Sequence, residues 1–362
     1  MSSFADIREK ELLACLCGLT LSPSPNEDCL QMVRTLDEAG RQQLLDLAHS
    51  HHAVLRGMET IRTDALARGD EATLSWADSA LTTERARIAN ALAHLEAVCK
   101  ELESAGCPTT VIKSLDHWPD IGNDLDLYTT GNEKQVLAVM QDRFSATIQP
   151  QSWGDRLAQK WNFNIPGLAD PVEIHVQRLG QMGEHTTLAR RFVTRRVTKT
   201  IEGKTFFVPA PEERIIVATL QRMYRHFYFR VCDLINTTAL VDSGELDFAE
   251  LKRATENSGI WRGVATYLTI VSDFAQKYRG SGLELPATIT KAAICGGDKV
   301  HPRQRFLRVP IMPQGAALYS EQVTRAAFNG DVPATFRLTM LPYLASAAAI
   351  SYKITGSDKG VW

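Results

Sequence analysis

The stretch Val111–Tyr128, VIKSLDHWPDIGNDLDLY, decides how the rest of the chain is interpreted. The β-branched run Thr109–Ile112 predicts a strand, and a polar loop containing Pro119 and Gly122 separates it from a second strand, Asp124–Tyr128. Successive side chains of a strand point to opposite faces. The two aspartates of the second strand therefore share one face, while its two leucines point to the other face and the core.

Two carboxylates on one strand face repel each other unless water or a cation compensates their charge. Asp124 and Asp126 are therefore candidate ligands of a hard divalent ion such as Mg²⁺, which takes carboxylate oxygens together with substrate phosphate oxygens. The alternatives are a turn cap for Asp124 and a solvated strand position for Asp126. Because aspartate is depleted in strands, the pair favours the metal role.

A later segment, Val172–Gln177, alternates apolar and polar residues and predicts another strand. Its polar face carries Glu173 and His175. Glu173 is the third candidate carboxylate of the site. His175 either orients Glu173, contacts a substrate, or is a satisfied histidine at the end of a strand.

Helical periodicity dominates the flanks of this segment. A long amphipathic helix, Ser79–Ala105, leads directly into the first strand, and another helix is predicted over Glu212–Phe229. Arg222 and Arg225 are three residues apart on the second helix and would share a face. They either reach a nucleotide or acceptor, or form salt bridges with acids such as Asp233.

Two further groups of residues have both a structural and a functional interpretation. The basic residues of segment 190–199 indicate either a solvated strand edge or a patch that meets phosphates, and the pattern leaves both open. The histidines of segment 49–52 favour a polar helix face over a metal site, because no acid or cysteine nearby in the sequence completes a ligand set.

The 362 residues, 44% of them hydrophobic, are enough for two or three domains. We expect a helical N-terminal region at 1–106, an α/β core at 107–210 and a helical C-terminal domain at 211–362. The net charge of -2 predicts no general attraction to nucleic acid or membranes. Scattered cysteines, no signal-peptide pattern and no apolar run of about 18 residues predict a cytoplasmic protein without a membrane span.

The order of these motifs resembles the active-site element of the DNA polymerase β-like nucleotidyltransferase superfamily. In that element a strand ends in Gly-Ser, the next strand carries Asp-x-Asp, and a third acid lies on a later strand. Lys113-Ser114, Asp124-Leu125-Asp126 and Glu173 stand in the same order here.

More narrowly, the chain is similar to the uncharacterised nucleotidyltransferase family of bacterial proteins over about residues 40–275. The similarity rests on Val111-Ile112-Lys113, Asp124-Leu125-Asp126-Leu127 and Val172-Glu173-Ile174-His175. The chain departs from the family at Ser114, where a glycine is usual, and in the loop 115–123, which is acidic and lacks the usual basic residue.

The resemblance implies an α+β fold with a small mixed β-sheet core flanked by N-terminal and C-terminal helical regions. It also implies a Mg²⁺-dependent (or Mn²⁺-dependent) enzyme that moves a nucleoside monophosphate from a nucleoside triphosphate such as ATP to a hydroxyl or similar nucleophile, releasing pyrophosphate. The implied catalytic and metal-binding residues are Asp124, Asp126 and Glu173. The implied nucleotide-binding residues are Lys113, Ser114, Arg222 and Arg225.

The acceptor of such a transfer is not evident from the sequence. The pI near 6.5 and the lack of a long basic stripe favour a small-molecule, peptide or protein acceptor over a nucleic acid, while segment 190–199 argues mildly the other way. The alternative function is a catalytically inactive protein of the same fold that serves as a ligand-binding or protein-binding scaffold.

Overall fold

The computed structural model describes residues 4–22, 24 and 26–355. The protein belongs to the α+β class, with 63% of its residues in helices and a small mixed five-stranded sheet between helical regions. This agrees with the predicted fold class. Within the described residues, no helix has both the length and the apolar character that crossing a bilayer requires.

The N-terminal part of the chain is helical. Its helices are α1 (Phe4–Leu21), α2 (Glu27–Arg34), α3 (Glu38–Ser50), α4 (Val54–Arg68) and α5 (Glu71–Ser104). Helix α5 begins well before the predicted start at Ser79, because the Asp70 side chain caps it by accepting a hydrogen bond from the Thr73 backbone N–H.

The central sheet is formed by residues between α5 and the second helical part. Its strands are β1 (Thr109–Val111), β2 (Leu125–Thr129), β3 (Thr147–Ile148), β4 (Lys160–Asn164) and β5 (Val172–Val176). Helices α6 (Glu133–Phe144) and α7 (Trp153–Ala158) lie between them in the chain. The spatial order is β1-β2-β5-β4-β3, and only the β2–β5 pair in this order is parallel.

The two faces of β2 and β5 differ as the alternating pattern predicts. Leu125 and Leu127 of β2 and Ile174 of β5 are fully buried, in the same apolar core as the leucines of α5. The register pairs Asp126 with Glu173 on the opposite face. The predicted hairpin and the predicted later strand are both confirmed, with β2 beginning at Leu125.

The second half of the chain is mostly helical and carries two small sheets. Its helices are α8 (Thr187–Thr194), α9 (Pro211–Thr219), α10 (Val231–Asp242), α11 (Phe248–Glu256), α12 (Trp261–Arg279), α13 (Ala287–Ala292), α14 (Ala316–Phe328) and α15 (Val332–Thr355). Its strands are β6 (Val197–Ile201), β7 (Lys204–Val208), β8 (Tyr228–Phe229), β9 (His301–Arg303) and β10 (Phe306–Arg308). Helix α1 contacts α10 and α12, so one apolar core joins both helical parts, and the division into three domains stays a prediction.

The helix predicted over Glu212–Phe229 is wrong in its second half. Helix α9 ends at Thr219 and continues as a π-helical segment, Leu220–Arg225, in which the His226 N–H donates to the Gln221 carbonyl at 2.8 Å. The chain then forms β8, which pairs with β10 from a segment about 80 residues further on. This distant pairing overrides the local helical pattern.

We expect Leu127→Ala to lower the free energy of unfolding by about 2–5 kcal/mol, because it opens a cavity on the core face of β2. The matched control is Leu66→Ala on α4, where the side chain is 59% exposed and the change should stay within about 0.5 kcal/mol. Urea unfolding followed by circular dichroism measures both. Equal losses in the two variants would contradict the assignment of Leu127 to the core.

Candidate active site

Strand β1 is followed by a tight turn centred on Lys113. Its backbone has φ 70° and ψ -57°, and the Ser114 N–H donates to the Ile112 carbonyl at 2.8 Å. These values describe a classic γ-turn, which is rare and strained for a residue other than glycine. The turn changes the direction of the chain at the point where β1 approaches the acids of β2.

Ser114 holds this turn against β2. Its hydroxyl accepts a hydrogen bond from the Asp126 N–H at 2.8 Å and donates to the Asp124 carbonyl at 3.2 Å. The residue is only 1% exposed. Ser114 was predicted to face the phosphates of a nucleotide, but its hydroxyl is used within the loop and its side chain is buried there.

Asp126 and Glu173 lie side by side on the parallel strands β2 and β5. Together with His175 they form a group in which one ligand atom from each lies within 4.8 Å of the others, and all three residues are buried. Asp124, the remaining predicted ligand, precedes β2 and is not part of this group. Among the described residues, its carboxylate has no hydrogen-bond or ion-pair partner, and its charge acts on neighbouring Asp126.

Two ammonium groups contact the paired acids. The Lys113 Nζ contacts Asp126 Oδ1 and lies 3.8 Å from Glu173 Oε1. The Lys160 Nζ on β4 lies 3.0 Å from Glu173 Oε2 and 2.7 Å from Asp155 Oδ1. The resemblance implies that Lys113 binds the nucleotide, and in this structure its ammonium group pairs with an acid.

Lys160 and Asp155 were missed by the sequence interpretation. Lys160 is the first residue of β4. Alternation along β4 does place Lys160 on the same face as Asn162, which pairs with Glu173. Nothing in the local pattern shows, however, that β4 pairs with β5, so the contact between Lys160 and Glu173 has no sequence signal.

The two acids ionise differently. Burial and then the charge of Asp124 raise the pKa of Asp126 well above its ordinary value, and Lys113 offsets this only in part. Burial also opposes ionisation of Glu173, but Lys160, the hydrogen bond from His175 and the charge of Lys113 together hold its pKa well below the ordinary value. Glu173 is therefore compensated within the chain, whereas Asp126 lacks sufficient positive charge.

His175 fixes the orientation of Glu173. Its Nε2 lies 2.8 Å from Glu173 Oε1, and because a carboxylate only accepts, Nε2 carries the proton. Burial lowers the pKa of His175, so the ring is neutral and its Nδ1 is a buried acceptor without a hydrogen-bond partner in the described structure. Asp126 Oδ1 likewise lacks a hydrogen bond of normal geometry, although Lys113 touches it.

Arg222 and Arg225, the two arginines implied to bind a nucleotide, have different surroundings in the structure. Arg222 is buried, pairs with Asp233 at 2.7 Å and stacks over the Tyr228 ring at 5.5 Å, which is the structural alternative anticipated from the sequence. Arg225 lines a cavity together with Lys113 and His175, and its charge only partly opposes the acids that raise the pKa of Lys160. The π-helical geometry of this segment explains why the two side chains do not share a face.

The basic segment 190–199 is engaged in internal contacts. Arg191 pairs with Glu213 at 2.6 Å, Arg195 pairs with Glu212 at 2.6 Å, Arg196 pairs with Glu103, and the Lys199 Nζ donates to the Leu115 carbonyl at 2.8 Å. These contacts argue against a phosphate-binding patch for most of the segment. The side chains are already paired with acids or a carbonyl group of other elements and are not free to bind phosphate.

The histidines of segment 49–52 have structural contacts. His51 accepts a hydrogen bond from the Val231 N–H at 2.9 Å through Nδ1 and donates to the Arg305 carbonyl at 2.7 Å through Nε2. The expected polar helix face is wrong for His51 and His52, which follow the end of α3 and are buried, and an acid distant in the sequence, Glu84, lies 3.9 Å from His49. Even so, they contribute to no metal-binding group among the described residues.

Comparison with known proteins adds no relative to this picture: no protein-family model matches the chain, and neither does any curated protein.

We expect Lys160→Met to lower the free energy of unfolding by about 3–5 kcal/mol, because it leaves the buried Glu173 carboxylate without its main cation. The matched control is Lys100→Met, which breaks an exposed pair with Glu96 on α5 and should cost at most about 1 kcal/mol. Urea unfolding at pH 7 measures both. A Lys160→Met protein as stable as the control would show that Glu173 does not depend on Lys160.

Two histidines, the buried His51 and the partly buried His226, predict acid sensitivity. Burial, with nearby arginine charges adding to it, lowers the pKa of His51 to about 3 and that of His226 to about 2. An unfolded histidine titrates near pH 6.5, so between these values the unfolded chain binds protons that the folded chain does not. The stability that the neutral rings contribute is therefore present above about pH 6.5 and is lost as the pH falls towards their folded pKa values.

We expect His226→Phe to reduce the slope of unfolding free energy against pH by about 1.4 kcal/mol per pH unit between about pH 6 and 4, since one proton-uptake step is removed. His226→Phe keeps an aromatic ring beside Tyr228. The exposed His301 provides the control His301→Phe, which should leave the slope unchanged. Urea titrations at several pH values give the slopes. An unchanged slope in His226→Phe would contradict a neutral His226 ring in the folded protein.

Proposed function

We propose that this protein is a nucleotidyltransferase with a polymerase β-like core, which moves a nucleoside monophosphate from a nucleoside triphosphate to a hydroxyl or similar nucleophile. The observation that carries the proposal is the buried pair Asp126 and Glu173, set side by side on parallel strands next to the strained turn at Lys113. The order of these motifs in the sequence supports the same function.

The acid pair fits a hard divalent ion, Mg²⁺ or Mn²⁺. Burial and the charge of Asp124 raise the pKa of Asp126, and its Oδ1 lacks a normal hydrogen bond; a bound cation would favour the ionised carboxylate and contact that oxygen. Asp126 and Glu173 would hold the ion, with Asp124 adding negative charge at the start of β2. When bound, the ion supplies neutralisation of triphosphate oxygens and a lower pKa for the attacking hydroxyl.

The side chains around the pair have separable roles. Glu173, with its depressed pKa, is a weak proton acceptor at neutral pH, so the proposal gives it the role of a ligand rather than that of a general base. His175 and Lys160 hold it in position. The ammonium of Lys113 is close enough to the pair to turn to a substrate phosphate once another cation compensates Asp126. Arg225, which lines the cavity beside His175, is the arginine placed to meet the nucleotide.

The proposal includes a small-molecule, peptide or protein acceptor and a cytoplasmic location. Arginines of the basic segment 190–199 pair with acids outside the segment. The segment therefore no longer favours a nucleic acid as the acceptor. The cavity shared by Lys113 and His175 has apolar walls formed by Leu179, Val217 and Leu220, which suits a small acceptor better than a polyanion. All seven cysteines are free thiols, as a reducing compartment favours.

A second candidate function, an inactive binding scaffold of the same fold, is favoured by one specific contact pattern. Lys113 and Lys160 place two ammonium groups directly on Asp126 and Glu173. These built-in cations allow the acids to be buried without any metal ion, as a protein that had lost catalysis would require.

We expect the wild-type protein, incubated with Mg²⁺ and each nucleoside triphosphate in turn, to add a nucleoside monophosphate to an acceptor from a metabolite or protein extract. Mass spectrometry detects the added mass. Asp126→Asn should lower the rate by more than about a hundredfold, because loss of a mere supporting partner of a metal ligand already costs about 10–100-fold. Asp142→Asn, a change of the same kind at an exposed position of α6, should leave the rate unchanged.

Calorimetric titration with Mn²⁺ separates the two candidate functions. The enzyme proposal requires Mn²⁺ to bind to the wild type and more weakly to Asp126→Asn. Equal binding to both proteins, or to neither, together with the absence of transfer to any acceptor, would reject the enzyme and leave the scaffold.

A further inference from the structure

Helix α15 is anchored to the body of the protein through its first half. Ala334 and Leu338 are buried, at 7% and 2% exposure. The Arg337 Nη1 donates a hydrogen bond to the Leu157 carbonyl at 2.6 Å. These residues define the face of α15 that packs inward.

The second half of α15 is exposed although it is apolar. Between Leu341 and Ile354, no residue whose side chain the structure describes is buried. Tyr343, Ile350 and Ile354 are 71%, 58% and 78% exposed. Segment 338–352 contains no charged residue that would favour contact with water. Because helices in proteins gain most of their stability from packing of an apolar face, this half of α15 is a helix whose packing partner is missing.

The apolar residues on the outer side of α15 follow a heptad pattern, and we call them the α15 seam. The seam consists of two series with a spacing of seven residues: Phe336, Tyr343 and Ile350, and, four positions after each, Met340, Ala347 and Ile354. At 3.6 residues per turn, these side chains share an arc of roughly 80°. The buried Ala334 and Leu338 lie on the opposite side of the helix. Apolar residues at alternating spacings of four and three form the seam by which helices pair in a coiled coil.

The exposed area on this side of α15 is large enough for a stable interface. Its most exposed apolar residues are Val332, Phe336, Tyr343, Ile350 and Ile354. Each offers on the order of 100–150 Å², so one copy presents about 500–750 Å². A pair of such faces buries about 1,000–1,500 Å², which reaches the roughly 1,000 Å² expected of a specific protein interface.

We propose that the α15 seams of two copies of this chain pair to form a homodimer. A two-fold symmetric interface uses the same patch on both subunits, so an uncharged apolar seam meets a surface of the same kind. Heptad spacing suits a helix as the partner. A helix that binds a lipid surface carries lysines and arginines along its polar face, whereas segment 338–352 has none and Arg337 is engaged with a backbone carbonyl.

Sedimentation velocity of the full-length protein over a range of concentrations tests the proposal. We expect the wild type to form a species of twice the mass of one chain. Tyr343→Glu and Ile350→Glu should each raise the dimer dissociation constant at least about thirtyfold, because each copy brings a charge into the apolar seam. The matched control is Leu66→Glu on α4, where the side chain is 59% exposed, close to the 58% of Ile350. Leu66→Glu should dimerise as the wild type does.

Circular dichroism verifies that each variant is folded. The proposal is overturned if the wild type is monomeric at every concentration, if the folded seam variants dimerise as the wild type does, or if Leu66→Glu dissociates as much as they do. A monomeric wild type that sediments with vesicles of phosphatidylcholine and phosphatidylserine would also overturn it, because the apolar face would then bind a lipid surface.

Amide hydrogen exchange of the wild type locates the interface without any substitution. We expect exchange in segment 340–354 to be at least about tenfold slower at a concentration where the dimer is formed than after dilution to the monomer, because pairing suppresses local opening of the helix. A dimer whose exchange in this segment does not change on dilution would place the interface elsewhere and overturn the proposal. The measurement needs no nucleotide or metal ion, so its outcome is independent of the proposed transfer reaction.

Discussion

The parallel pairing of β2 with β5 is the constraint on which the candidate site depends. Its register sets Asp126 directly beside Glu173, and the same register puts Leu125 and Leu127 into the apolar core on the other face. A shift of β2 by one residue would turn all its side chains to the opposite face, which would bury Asp126 in the apolar core and expose Leu125 and Leu127. The core therefore fixes the register, and the register brings the two carboxylates together. The site is a consequence of apolar packing on the far side of the sheet.

Burying two carboxylates in contact costs several kcal/mol per ion unless other groups compensate them. Residues from different elements share this compensation. Lys160 on the neighbouring strand β4 contacts Glu173, and so does His175, which lies two residues further along β5. Lys113, in the γ-turn after β1, contacts Asp126. Burial and the charge of Asp124 raise the pKa of Asp126, whereas Lys160, His175 and Lys113 lower that of Glu173 in spite of its burial. The asymmetry locates the one position in the acid pair where additional positive charge would be most favourable.

Local periodicity was sufficient to predict the hairpin, the strand that carries Glu173, and the strand face on which Asp126 lies. Alternation of side chains along a strand needs no knowledge of the fold. It failed wherever a distant segment decides the outcome. Lys160 acquires its role only through β4–β5 pairing, and the helix predicted to Phe229 is interrupted because β10 pairs with β8. The contacts of His52 with His117 and Arg230 likewise join three segments far apart in the chain. Ser114 shows a different limit: the resemblance implies that it binds a nucleotide, but its buried hydroxyl holds the Lys113 turn against β2.

Lys113 links the two charged regions of the molecule. It compensates Asp126 on one side and adds to the positive potential at His117 on the other. One ammonium group cannot fully compensate the Asp126 carboxylate and bind an anion at the same time. A cation bound at Asp126 would therefore free Lys113 to contact an anion. By the reciprocity of linked equilibria, a bound anion that attracts Lys113 would favour a cation at Asp126 to the same extent. The proposed cation at Asp126 and a substrate phosphate at Lys113 are therefore positively coupled through this side chain. The strained γ-turn gives the coupling a structural basis, because it holds the lysine at the boundary between an acidic and a basic cluster.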